Sequence, residues 1–360
     1  MLWLTVIVFI ALLLILVLAH EFGHFWAARR AGCRIEEFAF GFQPRLFAFE
    51  RGGTRYSFNL LPIGGYVKIE GEDMDEPTPG PTSFASKTAT WRVAILAAGV
   101  IMNVVLAAVL LTWQAIVGIP TLVTEENVQH LQDLKTYVLE VAPDSPADAA
   151  GVVSMDRIVR IEEVESPTVE DIRHIVREAT GGEVTLEIER LGRHLTLMIV
   201  PRAEPPADEG PLGVVLVATG LEHVPWWQAP LTGLRRTGSM LTAIVVQFGS
   251  LLARLVREGA VGETLTGPVG IAVYTNEVTN LGLSYVLEFA ALISLNLALI
   301  NILPFPALDG GRILFVTIEA VIGKRVPGKV EGFVHTMGFA LLILLMLLIT
   351  FKDIRRLFFE

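Results

Sequence analysis

The chain has 360 residues, 52% of them hydrophobic and only 18% charged, with a mean hydropathy of +0.55. That balance excludes an ordinary soluble globule and indicates a polytopic membrane protein. A net charge of −10 without a Lys/Arg-rich block argues against nucleic acid as a partner, and the single cysteine, Cys33, excludes both an intramolecular disulfide framework and a Cys-rich zinc site.

The first predicted element is an apolar helix over Leu2–Ala28, too long and too poor in N-terminal basic residues for a signal peptide, so it reads as a retained span. Near its far end stand His20-Glu21-Phe22-Gly23-His24. On a helix, residues i and i+4 share one face, so two imidazoles four apart reach one metal ion while the intervening Glu serves as general base. Histidine and glutamate are costly within an apolar span, which makes them a functional site by default.

Residues 29–91 form a polar, Gly- and Pro-rich connection in which Thr54–Phe58 and Tyr66–Ile69 read as short strands about a sharp turn at Gly64-Gly65. A second span is predicted over Val93–Val117. Residues 126–203 read as a soluble α/β module. Its elements are a strand over Tyr137–Ala142, a helix over Thr168–Ala179 with Thr168 as N-cap and Asp171 three residues on, and a hairpin of Val184–Arg190 and His194–Val200 across Leu191-Gly192-Arg193. A Pro-rich linker, Glu204–Gly210, closes it. Residues 226–257 open on Trp226-Trp227 and carry Arg235, Arg236, Gln247 and Arg254; a fifth span and an amphipathic interfacial helix both fit them.

The last two predicted spans are Val286–Leu303 and Val334–Phe351. The first of them breaks at Pro304 and Pro306 and ends on Leu308-Asp309-Gly310-Gly311. A catalytic zinc takes three protein ligands and keeps one open position. Asp309 is the best candidate for the third, against an ordinary turn aspartate, and the two prolines shape the break that presents it. Asn301, two turns earlier, is a candidate donor to substrate or to the transition-state oxygen, with helix packing as its alternative. His130, His174, His194 and His223 fall in the polar module or its flanks, and His335 reads as an interfacial residue.

His20 lies about 27 Å along its helix, at 1.5 Å per residue, towards the exit side. Asp309 also lies at an exit, so the two meet only if their spans run parallel. That requirement selects four spans and assigns 226–257 to the interface. Arg29, Arg30 and Arg34 after the first span, with Lys87 and Arg92 before the second, put the zinc side in the cytoplasm and the module outside, although Lys352, Arg355 and Arg356 after the last span disagree.

The ordered set of His20–His24, Gly64-Gly65-Tyr66-Val67-Lys68, Gly267-Pro268-Val269-Gly270-Ile271-Ala272 and Leu308–Gly311 resembles the site-2 intramembrane metalloproteases, nearest the bacterial regulator-of-sigma-E protease branch. The resemblance implies one Zn2+ per chain on His20, His24 and Asp309, with Glu21 activating water. It also implies a single permuted PDZ domain over 126–203, with a peptide groove between Tyr137–Val141 and the 168–179 helix or a purely steric, size-filtering role. The 54–70 segment would be a membrane-associated β-hairpin whose Gly64, Gly65, Tyr66 and Val67 meet unwound substrate.

The fold class expected is thus a polytopic α-helical membrane protein with four transmembrane helices, a membrane-associated β-hairpin and an inserted extracytoplasmic α/β PDZ domain. The expected domains are 1–125 with two spans, the zinc motif and a cytoplasmic-side β-loop, 126–203 as PDZ, 204–285 as linker and interfacial helix, and 286–360 with the last two spans. The function implied is cleavage of pre-trimmed single-pass membrane proteins in the lipid of a bacterial inner membrane, such as an anti-sigma factor or a signal-peptide remnant. A non-catalytic scaffold binding partners through the PDZ domain is the alternative.

Overall fold

The computed structural model describes residues 2–72, 80–124, 126–190, 192–206, 209–258, 267–324 and 326–359. Leu191 of the expected hairpin turn and two positions of the expected 204–210 linker lie outside them. The chain forms two compact units: Met1–Thr112 with Pro230–Thr279 and Val286–Glu360, and Trp113–Ala229 with Asn280–Tyr285.

In the first unit, α1 (Leu2–Arg30) leads into β1 (Ile35–Arg51) and β2 (Thr54–Ile69), and α2 (Ala89–Val117) follows. The turn of this long hairpin is Gly52-Gly53, both at positive φ (62° and 78°), where L side chains are strained. Both strands bend. Phe38 pairs with Tyr56 on one side and Val67 on the other, while Tyr56 also pairs with Phe49. The ribbon order is therefore 45–51, 54–59, 37–40, 65–69. Thr54–Phe58 and Tyr66–Ile69 are not neighbours, as a 54–70 hairpin would make them, because 37–40 lies between. Local alternation reveals strands but not which strand they choose.

The second unit takes in the last turn of α2 and then β3 (Ile119–Leu122), β4 (Gln132–Val141), α3 (Pro146–Ala149), β5 (Arg157–Ile161), β6 (Val164–Glu165), α4 (Val169–Glu178), β7 (Val184–Arg190), β8 (Arg193–Ile199) and β9 (Val214–Glu222). Its sheet runs β3-β9-β4-β5-β7-β8, with β6 on β5. Val138, Ile158, Ile172, Val176 and Ile188 meet in its core. Thr168 and Asp171 form a reciprocal capping box at the start of α4, and the Thr168 hydroxyl and amide hold the Asp171 carboxyl below its ordinary value.

Two expectations change here. The module does not end before residue 204, because β9 pairs with β4 along Val214–Leu221 and completes the sheet from beyond the linker. The groove beside α4 is lined by β9 rather than β4: Ile172, Arg173, Val176 and Arg177 face Pro211 and Val214–Leu216 across a cavity of about 330 Å³. Insertion of β9 next to β4 displaces the predicted strand from the groove. Nothing local to 137–142 signals that insertion.

The chain returns to the first unit with α5 (Ala229–Glu258), α6 (Pro268–Leu281), α7 (Leu283–Ile302), α8 (Asp309–Ile322) and α9 (Gly328–Phe359). Among the described residues, five helices are long and apolar enough to cross a membrane: Thr5–Arg30, Ala89–Val117, Ala229–Arg257, Leu283–Ile302 and Gly328–Arg355. Four correspond to the predicted spans, and the third is the ambiguous 226–257 stretch. Leu12 and Leu16 of α1 share a cluster with Ala290 of α7, flanked by Leu106 and Leu110 of α2. Near the other end of α1, His24 meets Ile95 of α2, so α1 and α2 are antiparallel. The first half of α5 joins this bundle, with Ile244 in the cluster of Ala107, Leu111, Ala291 and Leu295. Its later Val246, Leu252 and Val256 stay exposed.

Where α1 ends, Phe25, Ile35, Ile69, Ile95, Leu96 and Val316 form one cluster that seats the β-ribbon and α8 against α1 and α2. Arg92 of α2 and Glu319 of α8 bridge this layer as a buried ion pair at 2.6 Å. These contacts set α8, and hence its first residue Asp309, relative to α1.

Candidate metal centre

His20 and His24 are one turn apart near the C-terminal end of α1, and their rings meet edge to face. Asp309 opens α8 after the loop 303–308. Its Oδ2 lies 3.1 Å from His20 Nε2 and 3.4 Å from His24 Nε2, and the two Nε2 atoms are 3.1 Å apart. A tetrahedral zinc with bonds near 2.05 Å separates its ligand atoms by about 3.3 Å. The three donors thus outline one face of such a tetrahedron. Asp309 Oδ2 is buried, and among the described residues its polar neighbours are these two imidazole nitrogens. A carboxylate and two imidazole nitrogens facing one another at this range are reconciled by a cation, which fits zinc's preference for N and O ligands.

The chain builds room for the ion. Gly99 of α2 lies against both imidazoles, and a Cβ there would overlap His24 Nε2 and stand 2.7 Å from His20 Cε1. Gly310 and Gly311 let the start of α8 close on the carbonyls of Ile302, Leu303 and Phe305, where a Cβ would clash. The small residues of the Asp309 motif therefore serve a tight loop-to-helix return that aims one carboxylate at α1.

The loop is also held from α9. Ala307 has φ 72°, a strained conformation for an L residue, and its N–H donates to His335 Nδ1 at 2.8 Å. Pro306 packs where a Cβ on Gly338 would stand, one turn after His335. His335 is therefore no mere interfacial residue: it faces the metal cavity and grips the loop that carries Asp309. The fold of 303–308 back onto α9 makes this contact, and hydropathy carries no trace of it.

The cavity, about 710 Å³, is lined by His20, Glu21, His24 and Asp309 together with Gly65–Ile69 of β2, Glu72, Arg312 and His335. Glu21 is thus brought to the metal face. Of the predicted substrate contacts, Gly65, Tyr66 and Val67 line the cavity. Gly64, Asn301, Pro304 and Pro306 are not among its lining residues. Arg312 and Glu72 pair at its wall.

Beyond the predicted set, two groups on α2 touch the ligands from behind. The Ile95 carbonyl lies 2.9 Å from His24 Nδ1, and the Asn103 amide lies 3.3 Å from His20 Nδ1. Gly99 and Asn103, four apart in an apolar span, share a helix face. That spacing was a readable signal, since a polar residue aligned with a small one marks a packed, functional face of a span.

A zinc-metalloprotease centre carried on membrane helices is the class that this fold and donor set define. Residues 8–345 match peptidase family M50, to which the chain belongs. It is 33% identical to zinc metalloprotease RasP of Oceanobacillus iheyensis, with 98% of this chain and 99% of the relative covered. It is 32% identical to the RasP of Bacillus licheniformis, over 98% and 99%, and 30% identical to that of Geobacillus kaustophilus, over 98% of each. The protein is a membrane zinc metalloprotease.

Proposed function

We propose that the chain is an intramembrane protease cutting pre-trimmed, single-pass membrane proteins within or next to their spans, as in the release of anti-sigma factors or the disposal of signal-peptide remnants. The observation that carries this reading is the convergence of His20, His24 and Asp309 beside Glu21, with both imidazoles and Glu21 on a helix long and apolar enough to cross a bilayer. Zinc held by His20, His24 and Asp309 would supply Lewis acidity there, lowering the pKa of a water and polarising a carbonyl. Glu21 takes the proton from the attacking water and returns it to the leaving amine. His24 and His20 stay fixed by α2, and His335 keeps Asp309 in place through the loop.

A helical peptide must unwind before its carbonyls can be attacked. The Gly65–Val67 segment is the outermost strand of the β-ribbon among the described residues and lines the cavity, a position that suits pairing with an extended substrate. Exposed Phe42, Leu46, Phe47 and Leu60 along the same ribbon suit a surface dipping into lipid.

Four crossings suit the chain direction. Parallel α1 and α7 require an odd number of crossings between them. If α5 crossed, α6 would have to cross as well, and its 14 residues span only about 21 Å against a core of about 30 Å. α2 is then the single intervening crossing and α5 lies in the interface with its Arg residues. Basic residues flanking the end of α1 and the start of α2 put the zinc on the cytoplasmic side of a bacterial inner membrane, with the module outside. The module is read as a PDZ domain whose groove between α4 and β9 takes an extended peptide: among the described residues, β3 and Val123 cover β9 only over Ala218–Glu222, leaving the edge at Val214–Val217 open.

The test is Glu21→Gln in the full chain, reconstituted with a single-span reporter protein. Zinc content is expected to stay at one per chain while cleavage disappears. Chelation of the wild type should abolish cleavage, with recovery on adding Zn2+. Turnover retained by Glu21→Gln would refute the mechanism.

A further inference from the structure

We propose that Asn103 is a positioning residue that sets the tautomer of His20, holding the proton on Nδ1 so that the Nε2 lone pair faces the metal. The inference rests on the reading of His20, His24 and Asp309 as the zinc ligands.

A neutral imidazole carries its proton on one nitrogen and offers a lone pair at the other, so the partner of the far nitrogen decides whether the near one can bind metal. For His24 the partner is the Ile95 carbonyl, 2.9 Å from Nδ1. A carbonyl only accepts. The proton therefore sits on Nδ1, and Nε2 is open towards Asp309.

For His20 the partner is the side-chain amide of Asn103, at 3.3 Å from Nδ1. An amide has one end that donates and one that accepts, nearly identical in shape, so its orientation is decided by the hydrogen bonds around it. With the NH2 end towards Nδ1, the ring proton would sit on Nε2, aimed at Asp309 Oδ2 3.1 Å away. That arrangement closes the ligand. With the oxygen towards Nδ1, Asn103 accepts from Nδ1–H and Nε2 is free. Asn103 is fully buried, and its Oδ1 in the first arrangement meets no partner among the described residues. No bond to that oxygen opposes the turn. The second arrangement gives both imidazoles the same tautomer, with both Nε2 atoms directed at one carboxylate oxygen.

Asn103 is itself well anchored. Its main-chain carbonyl accepts from Ser294 Oγ of α7 at 2.8 Å. Because that bond uses the backbone, a substitution at 103 leaves it in place and removes only the contact to His20. An Asn whose sole role was to join α2 to α7 would not need its amide.

The full chain in detergent provides the test, with zinc affinity measured by competition against a chromophoric chelator and geometry read from the visible spectrum of the Co2+ form. Asn103→Leu keeps the size and loses the acceptor, and is expected to weaken zinc binding about 10–100-fold. Asn103→Asp presents only acceptor oxygens; it is expected to bind zinc within a few-fold of wild type, with an unchanged Co2+ spectrum. An Asp variant as weak as the Leu variant would overturn the proposal, as would a Leu variant that binds like wild type. His20→Ala separates the layers: zinc bound at full affinity there would overturn the ligand set itself, whereas its loss alongside an unaffected Asn103→Leu would overturn only the role of Asn103. If Asn103→Leu fails to fold, the Asp variant alone decides by its affinity and spectrum.

Discussion

Replacing Gly99 by Ala sets two effects of opposite sign against each other. Ala is the better helix former by about 1 kcal/mol in a helix interior, so on propensity alone the substitution stabilises α2. At Gly99 the added methyl would stand 2.7 Å from Cε1 of both His20 and His24. Carbon atoms in contact rest at about 3.5–4.0 Å, so each ring must retreat by about 1 Å. Zinc–ligand distances tolerate only about 0.2 Å, and a misplacement of about 1 Å at a reacting centre costs on the order of 100-fold in rate. Gly99→Ala should therefore fold as well as wild type, yet lose most of its zinc and at least about 100-fold in cleavage. Gly238→Ala in α5 is the matched control, since a Cβ there meets nothing within 4 Å; it should keep full zinc and activity. The assay combines metal content of the purified protein, its melting in detergent and cleavage of a reporter span in vesicles. A Gly99→Ala protein with one zinc per chain and activity within a few-fold of wild type would refute the packing argument.

Three further outcomes are expected. His335→Leu removes the acceptor for Ala307 N–H and should lower kcat about 10–100-fold with little change in KM, checked by steady-state cleavage; an unchanged kcat would show that the loop needs no grip from α9. Arg92→Met strands the buried Glu319 carboxylate and should cost about 3–5 kcal/mol, whereas Arg92→Met with Glu319→Leu should recover most of it, as read from unfolding in detergent. Thr168→Ala should weaken the start of α4 by about 1 kcal/mol, visible as faster amide hydrogen exchange in that helix alone. Because the folded Asp171 carboxyl is held below its ordinary value, its contribution to the same helix is complete above about pH 4 and is lost as pH falls below that.

Much of this protein is written in short-range pattern. The i, i+4 spacing of His20 and His24, the apolar runs of α1, α2, α7 and α9, and the Thr168/Asp171 cap depend on residues within a few turns of one another, so periodicity and composition alone determine them. Asp309 as their partner was reached by requiring a third ligand at the broken end of a span, and its meeting the histidines then imposed parallel spans, a topological constraint rather than a local one. What only the tertiary structure decided are contacts between residues far apart in the chain. The imidazoles rest on Gly99 and Asn103 because α2 packs antiparallel to α1, and His335 grips Ala307 because the loop after α7 folds back onto α9. β9 enters between β3 and β4 from beyond a Pro-rich linker, which moves the groove away from the strand that alternation suggested. Each depends on which surfaces bury one another, and the free energy of that burial is shared by segments that carry no mark of their partner.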